Sequence, residues 1–163
     1  MTFQVFSNYS MNLKIDILSL KHRIEIMQGR LHFNSHIASG AGIRPATVSH
    51  FVRGDITRIH LPVLTRFARY FEQQNLDIDV GDFFSWGDDG ELVSNIGTLI
   101  QKLNPTPTEP EIASATNIPL QRLENLIRGN VKRVYLDDLA RLFIFLREQG
   151  VKVEVGDLLR VAN

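Results

Sequence analysis

The residues from Ile37 to Phe84 align without a gap onto Ile112 to Leu159 at a constant offset of 75 positions, so most of the chain reads as two copies of one unit. Ile37-Ala38-Ser39 recurs as Ile112-Ala113-Ser114, Ile43 as Ile118, Arg53-Gly54 as Arg128-Gly129, Arg58 as Arg133, and Val80-Gly81-Asp82 as Val155-Gly156-Asp157. Leu61, Leu64 and Arg66 recur as Leu136, Leu139 and Arg141. Upstream, an offset of 76 pairs Ile17, Leu20, Ile24 and Met27 with Val93, Ile96, Ile100 and Leu103, so that one loop differs by a single residue. This organisation predicts repeat 1 over 11–86, a short linker over 87–91 and repeat 2 over 92–163. The first ten residues show no period and are expected to be a tail, or an extension from an upstream start codon.

Each unit reads as five helices. In the first, apolar residues are spaced three, four and three apart, which puts them on one helical face. The second is short, Asn34 to Ala41 or Glu109 to Thr116, and is followed by Gly42-Ile43 or Asn117-Ile118, where glycine and asparagine tolerate the left-handed backbone that ends a helix. The third begins near Pro45 or Pro119, because proline suits a first helical turn, and stops at Gly54 or Gly129. The fourth carries the stripe Leu61, Leu64, Ala68 and Phe71, matched by Leu136, Leu139, Phe143 and Leu146. A fifth is expected to start near Gly81-Asp82 and its copy, with the aspartate as cap. The expected fold class is therefore all-α, with only weak period-two alternation at 76–80 and 151–155 to suggest strand.

The absence of cysteine excludes a disulfide framework, a thiolate zinc site and a thiol nucleophile, and it fits a reducing cytoplasm. No apolar run approaches the roughly 20 residues needed to cross a bilayer, and the N-terminus lacks the layout of a secretory signal, so a cytoplasmic protein with no membrane partner is expected. His32 and His36 lie four apart but have no third metal ligand, and repeat 2 replaces them with Pro107 and Glu111. Asp77, Asp79 and Asp82 have the wrong order for a calcium loop. With neither a phosphate-binding glycine loop nor an acid–base constellation, no enzyme, metal or cofactor is expected.

The series Ile37-Ala38, Gly42-Ile43, Thr47-Val48-Ser49, Gly54, Arg58-Ile59, Leu61 and Val80-Gly81-Asp82-Phe83-Phe84 resembles the Cro/XRE-type, phage-repressor-like helix-turn-helix family. Repeat 2 is similar through Ile112-Ala113, Ile118, Leu123, Gly129, Arg133-Val134, Leu136 and Val155-Gly156-Asp157-Leu158-Leu159. The resemblance implies two tandem five-helix repressor-like helix-turn-helix domains and a DNA-binding transcriptional regulator whose partner is double-stranded DNA. The third helix of each unit would lie in the major groove. In repeat 1 the candidate DNA-binding residues are Arg44, Thr47, Ser49 and His50 on that helix, Arg53, Thr57 and Arg58 in the following loop, and Asn34, where the family places a phosphate-contacting glutamine. In repeat 2 they are Gln121, Arg122, Asn125, Arg128, Lys132 and Arg133.

Charge separates the two units. The chain has 18 basic and 18 acidic residues, a net charge of zero that is unusual for a nucleic-acid binder. Residues 30–73, however, hold six arginines against two acids, whereas 105–148 hold six basic and six acidic residues. Electrostatics therefore favours repeat 1 as the main DNA contact, and repeat 2, with Glu109, Pro119 and Glu124 opposite Asn34, Arg44 and Ser49, as a weaker reader or packing partner. The same neutrality supports the alternative, a protein-protein interaction module that keeps the duplicated fold but no longer binds DNA, with a second copy of the chain or another protein as partner. Phe83, Phe84 and Trp86 read as core aromatics at the end of the first unit.

Overall fold

The computed structural model describes residues 12–162; the tail expected over residues 1–10 lies outside them. The elements run β1 (Asn12–Ile15), α1 (Ile17–Gln28), α2 (Asn34–Ala41), α3 (Pro45–Arg53), β2 (Arg58–His60), α4 (Leu61–Gln73), β3 (Phe84–Trp86), β4 (Leu92–Ser94), α5 (Ile96–Gln101), α6 (Glu109–Thr116), α7 (Leu120–Arg128), β5 (Arg133–Tyr135), α8 (Leu136–Glu148) and β6 (Leu159–Ala162). With about 52% helix and 13% strand in three small antiparallel sheets among the described residues, the fold is mixed α/β, which corrects the all-α expectation and its five-helix units.

Local chemistry accounts for the helix ends. Gly42 (φ 66°) and Asn117 (φ 54°) take the left-handed conformation that closes α2 and α6. Their carbonyls would be left without helical partners, and the repeated arginines satisfy them: Arg66 Nη1 donates to the Gly42 oxygen at 3.1 Å and Arg141 Nη1 to the Asn117 oxygen at 2.7 Å. Thr108 and Glu111 open α6 with a capping box; the Thr108 N–H donates to Glu111 Oε2 at 2.7 Å. That bond and the Thr108 hydroxyl hold the Glu111 carboxyl below its ordinary pKa, against a small opposing desolvation.

The two units are joined by an approximate twofold relation. In the β2–β5 ribbon Ile59 faces Val134, its own copy, while Arg58 faces Tyr135 and His60 faces Arg133. The flanking bonds obey the same relation: Leu61 N–H donates to the Lys132 oxygen (2.7 Å) and Leu136 N–H to the Thr57 oxygen (3.0 Å). The strands at the unit ends are exchanged. β1, which opens unit 1, pairs with β6, which closes unit 2, and β4, which opens unit 2, pairs with β3, which closes unit 1. Residues 87–91 form the turn of that second hairpin. One apolar cluster runs through both units; Phe83 meets Phe143 with ring centroids 6.0 Å apart.

Strands replace the expected fifth helices for a physical reason. Only five residues separate Gly81 from Gly87, too few to offset the cost of nucleating a helix, and Phe83-Phe84-Ser85-Trp86 is rich in residues that suit a pleated surface. An edge supplied by β4 then satisfies the backbone. Residues 76–80 and 151–155 form no strand.

The 76-residue offset upstream is also corrected. α5 starts at Ile96, and Val93 lies in β4, so Ile17, Leu20 and Ile24 correspond at an offset of 79 to Ile96, Leu99 and Leu103, all buried. The bonds Asp16 N–H to Leu158 oxygen (3.1 Å) and Asn95 N–H to Phe83 oxygen (2.7 Å) mark the two equivalent helix starts. Both offsets satisfy the apolar period of a helix, so periodicity could not choose between them.

Gly81 and Gly156, which are copies of each other, meet back to back. A Cβ on Gly81 would lie 2.7 Å from the Gly156 nitrogen, and one on Gly156 would strike the Asp79 oxygen and the Gly81 nitrogen, all backbone atoms with little room to move. Gly156→Ala is therefore expected to destabilise the protein by about 2–3 kcal/mol through overpacking, measured by urea denaturation, with a larger loss than at Gly150→Ala, where a Cβ meets nothing within 4 Å and only the left-handed backbone (φ 84°) penalises a side chain.

Candidate nucleic-acid interface

α3 and α7 occupy equivalent places in the two units and flank the β2–β5 ribbon. α3 turns Val48 and Phe51 into the core and leaves Arg44 and His50 exposed, with Thr47 and Ser49 half-buried. Arg44 is its N-cap residue, at the end where side chains of an inserted helix reach bases. Asn34 opens α2 and is half-buried. His50 and Arg53 are drawn together by Asp55: His50 Nδ1 lies 3.2 Å from Asp55 Oδ1, and Arg53 Nε donates to Asp55 Oδ2 at 3.2 Å. Desolvation, the largest single influence, raises the Asp55 pKa, but the hydrogen bonds and charges of His50 and Arg53 together outweigh it and hold the carboxyl below its ordinary value.

Three of the positions at which unit 2 departs from this pattern come together in space. Thr47, His60 and Val63 are replaced by Arg122, Tyr135 and Asp138. Asp138 lies on α8 with its side chain 2% exposed, and Arg122 Nη2 donates to its Oδ1 at 2.8 Å. The Arg122 guanidinium also lies over the Tyr135 ring, 4.5 Å from its centroid, and the Arg58 guanidinium reaches within 5.7 Å of the same ring from the other unit. Burial pushes the Asp138 carboxyl above its ordinary pKa, and the Arg122 charge pulls part of the way back. Sequence reasoning included Arg122 but missed Asp138 and Tyr135. The available signal was that all three positions depart together from repeat 1.

The ribbon and α7 share one polar surface. Ile59 and Val134 point inward, so Arg58, His60, Arg133 and Tyr135 share its outer face. Arg122 and Asn125 of α7 line the same pocket as Arg133, Tyr135 and Asp138. Gln121, Arg128, Thr57 and Lys132 are exposed on α7 and in the loops that lead into the ribbon. Among the described residues, Arg44, Arg58, Arg128, Lys132 and Arg133 have no carboxylate partner. By contrast Arg66 caps α2 and Arg69 donates to the Gly90 carbonyl, so part of the basic excess of repeat 1 is spent on structure.

His32 is buried, and its Nε2 bonds the Tyr70 hydroxyl. Burial, followed by the neighbouring His36 and Arg30 charges, lowers its pKa. Among the described residues no group of three or more candidate ligands could hold a metal ion, and no helix is long and apolar enough to cross a membrane. Phe83 and Phe84 are buried, whereas Trp86 is 41% exposed.

No protein-family model, curated protein or solved structure matches the chain.

Arg122→Ala would leave the buried Asp138 without its ion-pair partner, with only the more distant positive charge of Arg141 acting on it. A fully buried pair broken in this way costs about 3–5 kcal/mol; because Arg122 is partly exposed, about 2 kcal/mol is expected. The folded-state pKa of Asp138 lies above that of the unfolded chain, so stability falls as pH rises through the interval between them. The deficit of the variant is therefore largest near neutral pH and shrinks as pH falls into the ordinary carboxylate range, which urea denaturation at about pH 7 and about pH 4 will test.

Proposed function

We propose that this chain is a cytoplasmic, DNA-binding transcriptional regulator in which α3 and α7 enter major grooves on the same side of a DNA duplex. The observation that carries the reading is the approximate twofold relation that makes α3 and α7 equivalent and gathers unpaired basic side chains from both units around the β2–β5 ribbon. A DNA duplex has its own local twofold symmetry, and a protein with matching symmetry reads two half-sites about one helical turn apart. The resemblance of both repeats to the Cro/XRE-type family points the same way.

Within this reading the single chain supplies both halves of what would otherwise need two subunits. Because Arg44, Thr47, Ser49 and His50 in unit 1 correspond to Pro119, Arg122, Glu124 and Asn125 in unit 2, the operator is an imperfect palindrome. Arg58, Arg133, Lys132 and Thr57 contact phosphates near its centre, which positions the chain without reading bases.

Fluorescence anisotropy with random-sequence duplex DNA tests the reading. Binding is expected to weaken steeply as salt rises, through counterion release. Arg58→Ala is expected to lower the slope of log affinity against log salt by about 1, as loss of one phosphate contact requires. Arg44→Ala/Thr47→Ala should weaken binding to any selected operator more than to random DNA. Absence of binding even at low salt would overturn the reading in favour of a protein-interaction module. That alternative has its own support in the exposed apolar side chains at the end of α1 and in the α1–α2 loop, Ile26 (82%), Met27 (56%), Leu31 (68%) and Phe33 (57%).

A further inference from the structure

We infer that Asp138 and Tyr135 are positioning residues that hold Arg122 as a guanine-reading side chain, so that unit 2 is a base reader in its own right; this rests on the DNA-binding reading above. The argument begins with what the fold does not need. Unit 1 builds the same α3–β2–α4 arrangement with Thr47, His60 and Val63 in place of Arg122, Tyr135 and Asp138. A buried carboxylate carries a desolvation penalty that one cation only partly offsets, and an apolar residue such as valine avoids it. The ion pair is therefore an addition peculiar to unit 2, and it sits on the face of α7 that carries Asn125.

Its geometry suits base reading. Asp138 takes one donor from Nη2, and Tyr135 covers one face of the guanidinium plane. Nε is buried and has no partner. The donors left for a ligand are those of Nη1 and the second hydrogen of Nη2, the pair of adjacent N–H groups that can meet O6 and N7 of guanine. The Arg122 side chain remains 41% exposed, so its tip is not sealed inside the protein. An arginine free in solvent loses its rotamer freedom on binding, whereas one already clamped by a carboxylate and a ring has lost it in the free protein.

The same contacts could instead neutralise Arg122 and silence unit 2, and the two roles predict opposite results. The full chain and three variants, Arg122→Thr, Asp138→Val and the double substitution, are used to select duplexes from a randomised library. The double variant carries the residues of unit 1 and provides the folding control, checked by thermal melting. For the wild type, one guanine is expected within one half-site, and its replacement by adenine weakens binding by about tenfold or more. Arg122→Thr and Asp138→Val each lose that preference while keeping the salt dependence of binding to random DNA. The inference is overturned if Asp138→Val keeps the guanine preference or binds more tightly than wild type, or if no base preference disappears with Arg122→Thr; salt-dependent binding would still leave the DNA reading standing. Loss of all DNA binding by the wild type overturns both.

Discussion

The pairing of Ile59 with Val134 organises everything else. A two-stranded ribbon of three residues per strand contributes little stability alone, but Ile59 and Val134 enter the common core, and the register sets Ile59 opposite its own copy and Arg58 and His60 opposite each other's copies. Once that register is set, the positions of α3 and α7 on either side follow. The contact of Gly81 with Gly156 supports the same relation. There the two backbones approach so closely that any side chain would separate them.

Exchange of the end strands explains why two small units behave as one body. β1 finds its partner at the far end of the chain, and β3 finds its partner in the opening strand of the next unit. Neither unit therefore contains its full complement of backbone hydrogen bonds without the other. The linker read from Gly87 to Glu91 is accordingly a hairpin turn between two paired strands, and the apolar core crosses it without interruption.

Charge is distributed by use rather than by amount. Two arginines of unit 1 serve the fold: Arg66 closes α2 and Arg69 holds the Gly90 carbonyl. Arg141 does for Asn117 in unit 2 what Arg66 does for Gly42, so Arg69 alone narrows the advantage assigned to unit 1 from composition. Unit 2, neutral overall, sets Arg122, Arg128, Lys132 and Arg133 beside the ribbon, and most of its acids lie elsewhere. Glu124 on α7 and Asp138 on α8 are exceptions, and the burial of Asp138 against Arg122 gives unit 2 a feature that unit 1 lacks.

The duplication, the helix boundaries around Gly42, Asn117, Gly54 and Gly129, and the buried stripes of α4 and α8 were legible in the amino-acid order, because each depends on residues close together along the chain. Helix periodicity and left-handed caps are local physics. The strands were not legible, since Phe84-Ser85-Trp86 and Leu159-Arg160-Val161-Ala162 become strands only when a distant edge satisfies their backbone, and the true register of α5 was hidden because two offsets fit one helical period. Among the site residues, sequence order identified the candidates on α3 and α7 but not the carboxylate that grips Arg122, sixteen positions away on another helix. Thus the sequence by itself determined the repeated unit and its helices, while the tertiary structure alone decided the twofold pairing, the exchanged strands and the partner of Arg122, because those depend on contacts between segments that no local pattern records.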